Sequence, residues 1–209
     1  MSKFTLIGSI GVLSLALSGC GEITSWFEGD DQEPVDEEAV VESYEQFAAD
    51  GFAMAGGYGD TAYSDPSALP LTGSAEYNGY FGGTVSNDGT PIVEIAGEMV
   101  LDVDFSSNDQ ALDGQVTNIY DSAGNQYTGE LTIAGGFIDR DANPNSQDTF
   151  GASLQGSLNT EATGDVFITG TIQGDFIGES QEAVAGSGQA AVTTLGGIYE
   201  LDAGFIAAQ

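Results

Sequence analysis

The sequence predicts an all-β fold: a small, antiparallel, eight-stranded soluble barrel that follows a signal peptide and an acidic tether. Two observations carry this. From Leu71 onward apolar residues recur with period two over successive stretches of strand length. Turn-forming clusters separate the stretches, notably Asn87-Asp88-Gly89, Ser122-Ala123-Gly124-Asn125 and Thr163-Gly164-Asp165. Short turns between sequential strands imply a meander, and eight strands can close on themselves and so remove exposed sheet edges. A two-sheet sandwich is the rival, since the same alternation permits it.

The chain divides into a lipoprotein signal peptide over 1–19, an acidic and mostly irregular tether over 20–70, and a barrel domain over 71–209. The leader carries Lys3 and an apolar run from Phe4 to Leu17, shorter than the roughly 20 residues of a spanning helix, and so reads as a signal peptide. It ends in Leu17-Ser18-Gly19-Cys20, the pattern of a bacterial type II signal. Cys20, the only cysteine, is the expected lipidation site; a diacylglyceryl thioether with an N-acyl chain supplies the two or more anchors that stable attachment requires. Gly21, rather than Asp, after the lipid site suits sorting to the outer membrane of a Gram-negative bacterium. Trp26 and Phe27 are expected at the bilayer interface.

Within the tether, Asp30-Asp31-Gln32-Glu33-Pro34 and Asp36-Glu37-Glu38 form a self-repelling block. Ala39 to Ala49 reads as one helical stretch, because Val41, Tyr44, Phe47 and Ala48 fall at helical spacing. Gly51 to Pro70, rich in Gly, Ala, Ser and Asp, reads as a linker or an irregular plug segment.

The strands follow in order. Gly73, Ala75, Tyr77, Gly79 and Phe81 give the first, and Val93 to Phe105 a long second whose other face holds Glu94, Glu98, Asp102 and Asp104. Leu112, Gly114 and Val116 begin a third; Tyr127 to Ile133 make a fourth, Phe150 to Leu158 a fifth and Val166 to Phe176 a sixth. Two more are expected around Glu182 to Val192 and Gly196 to Phe205. Many glycines share the apolar phase, as a small barrel filled by its own side chains requires. Charged residues on the outer phase, with Glu130, Gln155 and Asn159, argue against a lipid-facing band.

Charge excludes some functions. There are 33 acidic residues against 2 basic ones, a formal net charge of -31, and Lys3 leaves with the leader, so Arg140 is the one cation of the mature chain. Nucleic acid is thereby excluded as a partner. The acidic shell fits high-salt surroundings better than a specific cation-binding role. The chain has no histidine, which removes the commonest general base and zinc or haem ligand. The strand carboxylates alternate outward instead of facing each other across a cleft, as paired-acid hydrolysis demands. The chain therefore reads as non-catalytic.

One loop, from Asp139 to Asp148, resembles the start of a calcium site, with Asp139, Asp141, Asn143, Asn145 and Asp148 as candidate ligands. Pro144 stands where an EF-hand requires Gly and no Glu occupies the twelfth position, so a polar hairpin loop is the favoured reading and no other cofactor is expected. Tyr80 and Tyr120 on the polar phase, with Tyr58 and Tyr63 before the barrel, are candidates for an exposed recognition face, although scattered surface placement is the simpler expectation.

Three stretches carry a family resemblance: Gly73-Ser74-Ala75-Glu76-Tyr77-Asn78-Gly79; Leu101-Asp102-Val103-Asp104-Phe105 with Leu112-Asp113-Gly114; and Gly170-Thr171-Ile172-Gln173-Gly174-Asp175-Phe176-Ile177-Gly178 followed by Glu182-Ala183 and Gly186. Over roughly Leu71 to Gln209 the chain resembles the β-barrel domain of transferrin-binding protein B and its relatives, surface lipoproteins of Gram-negative bacteria. Ile177 replaces the Tyr usual in that family, and the Pro that often follows is absent. The resemblance implies a lipid-anchored eight-stranded barrel shown on the cell surface, binding an unidentified extracellular ligand or protein. It transfers neither the transferrin ligand nor any binding residue, because the family's binding loops have no counterpart and the chain has room for one barrel without a handle domain. The alternative is a structural or adhesive surface lipoprotein, with calcium as a possible bridging ion; an enzyme ranks third.

Overall fold

The structure is a computed structural model that describes residues 41–143 and 147–209, with the backbone alone at Val41 and Glu42. The expected signal peptide, Cys20, Trp26, Phe27, the acidic block and Asn145 lie outside the described residues. One helix, α1 (Val41–Tyr58), and a short 3-10 turn (Pro66–Ala68) precede eight strands: β1 (Ser74–Asn87), β2 (Thr90–Asp104), β3 (Leu112–Asp121), β4 (Thr128–Ile138), β5 (Phe150–Thr160), β6 (Gly164–Ile177), β7 (Ala183–Thr194) and β8 (Gly197–Ala208). They form a closed barrel in sequence order, each pair antiparallel, with β8 returning to β1 through Asn78↔Ala208 to Ser86↔Glu200. This is the meander that the alternation predicts, and closure excludes the sandwich.

Period-two alternation becomes an inside and an outside. Tyr77, Phe81, Met99, Leu101, Leu131, Leu154, Ile172, Phe176 and Phe205 point inward and are almost wholly buried, while Glu98, Asp102, Asp113 and Glu130 stand exposed on the outer wall. Inward glycines let the wall bend. A side chain at Gly79 would run into the Ile206 carbonyl oxygen of β8, and one at Gly170 into the Gln189 carbonyl oxygen of β7. Only glycine allows so close a crossing. In β3 a bulge opposite Gly97 puts Asn118 at φ 51° and shifts the phase, so that Val116 and Ile119 both face the core while Tyr120 faces out. The turn between β1 and β2 has positive φ at both Asp88 (49°) and Gly89 (75°), the requirement of a type I′ hairpin.

Helix α1 runs nine residues beyond the expected end at Ala49, taking in Gly51 to Tyr58, which the sequence presents as linker or irregular plug segment. Of its glycines Gly51 is buried, while Gly56 and Gly57 are exposed in open space. Helix α1 lies over β1, β2 and β8, in which Ala96, Gly82 and Gly204 pair in one row of small residues. Tyr44, Ala48 and Ala55 pack there with Ala183, Ala185 and Ile206. Phe47 lies 6.1 Å from the Tyr80 ring and 6.0 Å from that of Tyr120, and the Tyr44 hydroxyl donates to Glu94. Tyr80 and Tyr120 are therefore half-buried beneath α1 and form no free recognition face, which corrects that expectation. Tyr58 joins the same cluster, and Tyr63 bridges to Ile177 of β6. Among the described residues no helix is long and apolar enough to cross a membrane.

Candidate functional site

The two ends of the barrel differ, and the difference begins with side-chain size. Near the end formed by the start of β1, the β2–β3 and β4–β5 loops and the β6–β7 turn, the inward residues are aromatic. Phe176 lies 5.2 Å from Phe150, 5.4 Å from Phe105 and 6.3 Å from Tyr77, ring centre to ring centre. Leu69, from the segment between α1 and β1, is buried against this group and plugs the end. Burial pushes the Tyr77 phenol up to about 12. Its hydroxyl donates to the Gln181 carbonyl at 3.0 Å, and the Gln209 amide donates to both the Tyr77 oxygen (3.2 Å) and the Gln181 carbonyl (2.7 Å).

Arg140 fastens this closed end. Its Nη1 donates to the Leu69 carbonyl (3.1 Å), Nη2 to the Phe105 carbonyl (2.8 Å) and Nε to Asn108 Oδ1 (3.1 Å). One guanidinium thus ties the plug segment and the β2–β3 loop to the loop after β4. In so acidic a chain, the one cationic side chain among the described residues is committed to carbonyl oxygens, because its fork of donors can serve several acceptors at fixed angles.

At the opposite end the inward residues are β-branched or smaller: Val85, Val93, Ile95, Val166, Ile168 and Val192, with Leu158. They do not fill the cross-section. A cavity of about 190 Å³ opens there, with Tyr127, Thr163, Thr194 and Tyr199 supplying its polar edges. Ile92 lines its edge, and Leu195 and Ile198 sit in and beside the β7–β8 turn at the same end; the three are exposed at 55%, 96% and 71%, while Leu71 and Phe137 stand exposed at the closed end.

The rim is built on Asp121, a buried carboxylate at the end of β3. It accepts from the Ala123 and Asn125 backbone N–H groups (3.0 and 2.8 Å), the Asn125 side-chain amide and the Tyr127 hydroxyl (3.1 Å). It is occupied as a turn-former. Burial, reinforced by the Asp121 charge, pushes the Tyr127 phenol up to about 12, so it is a neutral donor over the ordinary pH range.

The calcium-loop candidates follow β4. Asp139 Oδ1 accepts from the Asp141 backbone N–H (3.0 Å), the Asn143 N–H donates to the Gln147 side chain (2.9 Å), and the Gln147 N–H donates to the Asn143 carbonyl (2.9 Å). Asp148 is half-buried, and its carboxyl is raised by that burial. Nearby Asp175 is raised as well, first by burial, although Thr149 donates to it through both N–H (3.0 Å) and hydroxyl (2.6 Å). Among the described residues no group of three or more His, Cys, Asp or Glu side chains is arranged to hold a metal ion.

Sequence reasoning missed the mouth. The signal was present in the contrast between aromatic and β-branched inward residues, but strand register is needed to show that each kind gathers at one end.

No protein-family model and no curated protein matches the sequence. Solved structures do. The barrel is similar to part of transferrin-binding protein B. Against a single-site variant of that protein from Haemophilus parasuis Hp5, described as a vaccine antigen, identity is 19% and the TM-score 0.46, over 70% of this chain and 28% of that one. Against the isotype 1 protein from serogroup B Neisseria meningitidis the values are 17% and 0.39, over 71% and 27%. This chain spans little more than a quarter of either protein, and the likeness concerns the fold.

Proposed function

We propose that the protein is an outer-membrane lipoprotein, anchored through acylated Cys20 and displayed at the cell surface, whose non-catalytic barrel binds an extracellular ligand or protein at its open apolar mouth. The observation that carries the proposal is the asymmetry of the barrel: one end covered by the Leu69 segment and clamped by Arg140, the other holding an open apolar cavity with Ile92 at its edge and the exposed β7–β8 turn, Leu195 and Ile198, beside it. Catalysis finds little support at the mouth, where Asp121 is tied to its turn and Tyr127 keeps its proton. The lipid signal and the glycine-aromatic resemblance support surface anchoring. The outer acidic wall would be repelled by anionic headgroups, favouring a tethered module that stands off the membrane.

Protease shaving of intact cells tests the display. The barrel should be removed by added protease, and Cys20→Ser should release the protein from the membrane fraction. A barrel that stays protected would place it in the periplasm and overturn the display. Native mass spectrometry of the chain from its own host tests binding: retained mass should be lost on Leu195→Ser with Ile198→Ser, and mass that persists would remove the mouth from the account.

A further inference from the structure

We infer that the mouth receives one large apolar side chain of a basic polypeptide segment, whose Lys or Arg residues lie on the acidic wall beside it. This rests on the mouth being the binding end and specifies its occupant. The cavity, about 190 Å³, is close to the roughly 150 Å³ cavity that holds a benzene molecule. It falls below the roughly 300–1,000 Å³ of pockets that enclose a drug-sized ligand. One aromatic or leucine side chain fits; a whole larger ligand does not. A small molecule inside the barrel would also leave Leu195 and Ile198 on their exposed hairpin facing water, whereas a polypeptide carrying the anchor would cover them, as near-neutral contacts surround the anchor of an interface.

Charge selects among the macromolecules that could do this. Ile198 and Tyr199 border a second groove on the outer wall of β1, β7 and β8, and that groove carries Asp88, Glu200 and Asp202. Gln189 donates to Asp202 at 3.3 Å. The one described cation, Arg140, is at the closed end and offsets none of this. A segment with cations next to its apolar anchor meets opposite charge in the groove. A second copy of this chain, at a formal net charge of -31, or an anionic phospholipid surface meets like charge, which disfavours the encounter.

Selection from a random peptide library displayed on phage, against the full chain carrying Cys20→Ser, tests the inference. The selected peptides should hold an aromatic residue or Leu flanked by Lys or Arg. Their affinity should fall about tenfold or more with Leu195→Ser plus Ile198→Ser, and again with Glu200→Gln plus Asp202→Asn, the second loss shrinking as salt is raised. Val192→Phe, which fills the cavity, should block binding; should it not fold, the rim variants still decide. Failure to enrich, selection of acidic peptides, or binding indifferent to either pair of changes would overturn the inference. Preferential, charge-indifferent binding of an apolar small molecule or of phosphatidylglycerol vesicles, sensitive to the rim pair, would also overturn it while leaving the mouth as the binding end. So would self-association abolished by the rim pair.

Discussion

Replacing Arg140 tests whether the closed end depends on a fork of donors or on a positive charge. The side chain donates to two backbone carbonyls, Leu69 at 3.1 Å and Phe105 at 2.8 Å, and to the Asn108 amide oxygen at 3.1 Å. Hydrogen bonds from a charged donor contribute about 1.5–3 kcal/mol each when buried. Arg140 is only half-buried, so water can replace part of each bond, and about 1 kcal/mol apiece is the reasonable scale. Arg140→Ala should therefore cost about 2–3 kcal/mol. With a urea m-value of about 2 kcal/mol/M, the midpoint should fall by about 1–1.5 M at unchanged m. Arg140→Lys separates the causes, since lysine keeps the charge but cannot reach three divergent acceptors at once. It should lose more than half of what alanine loses. If Arg140→Lys unfolds within about 0.5 kcal/mol of the wild type, the fork argument is wrong and charge alone accounts for the residue.

Four further outcomes are expected. Gly79→Val should prevent accumulation of folded protein, because its side chain meets the β8 backbone at Ile206, whereas Gly89→Ala, in open space at φ 75°, should cost only about 1–2 kcal/mol in urea titration; equal effects would contradict the close-crossing account. Phe47→Ala removes both ring contacts of α1 and should cost about 2 kcal/mol, with residues 41–58 becoming cleavable by added protease while the β-sheet circular dichroism persists; simultaneous loss of both signals would mean that the helix and barrel do not separate. Tyr77 and Tyr127, raised from 10.0 to about 12, hold their protons more tightly folded than unfolded. Their contribution is thus complete below pH 10 and lost as pH rises toward 12, so Tyr127→Phe should flatten part of the alkaline fall in melting temperature; an unchanged alkaline profile would argue against burial of that phenol. Finally, with a formal net charge of -31, the melting temperature should climb as sodium chloride is raised from low ionic strength, and a flat response would show that self-repulsion is not a significant term.

The strands were legible because a closed sheet has only two faces. Met99, Leu101 and Val103 alternate with Glu98 and Asp102 in the chain as they do on the wall, and the Asp88-Gly89 turn announces itself by residues that tolerate positive φ. The glycines on the apolar phase pointed to close crossings, which Gly79 and Gly170 make. The helix was legible only as far as Ala49, because a pattern read in one dimension treats Gly51, Gly56 and Gly57 as breaks. In three dimensions the helix packs onto the barrel through Tyr44, Ala48 and Ala55, and that packing outweighs the roughly 1 kcal/mol that a glycine costs a helix. Tyr80 and Tyr120 sat on the polar phase as expected, yet α1 covers them, since alternation reports which side of the wall a residue occupies and not what lies over that side.

The sequence by itself determined the fold class, the inward and outward faces of the strands, the acidic shell and the absence of histidine chemistry, all of which are local or additive properties of the residues. Tertiary structure alone decided which end of the barrel is open. That choice depends on register: which of the inward residues stand at the same height when eight strands are wound together. Pairing brings Tyr77, Phe105, Phe150 and Phe176, separated by up to about a hundred residues in the chain, into one layer that fills the cross-section. The same pairing gathers Val85, Val166 and Val192 into another layer that does not, and the unfilled layer is the mouth.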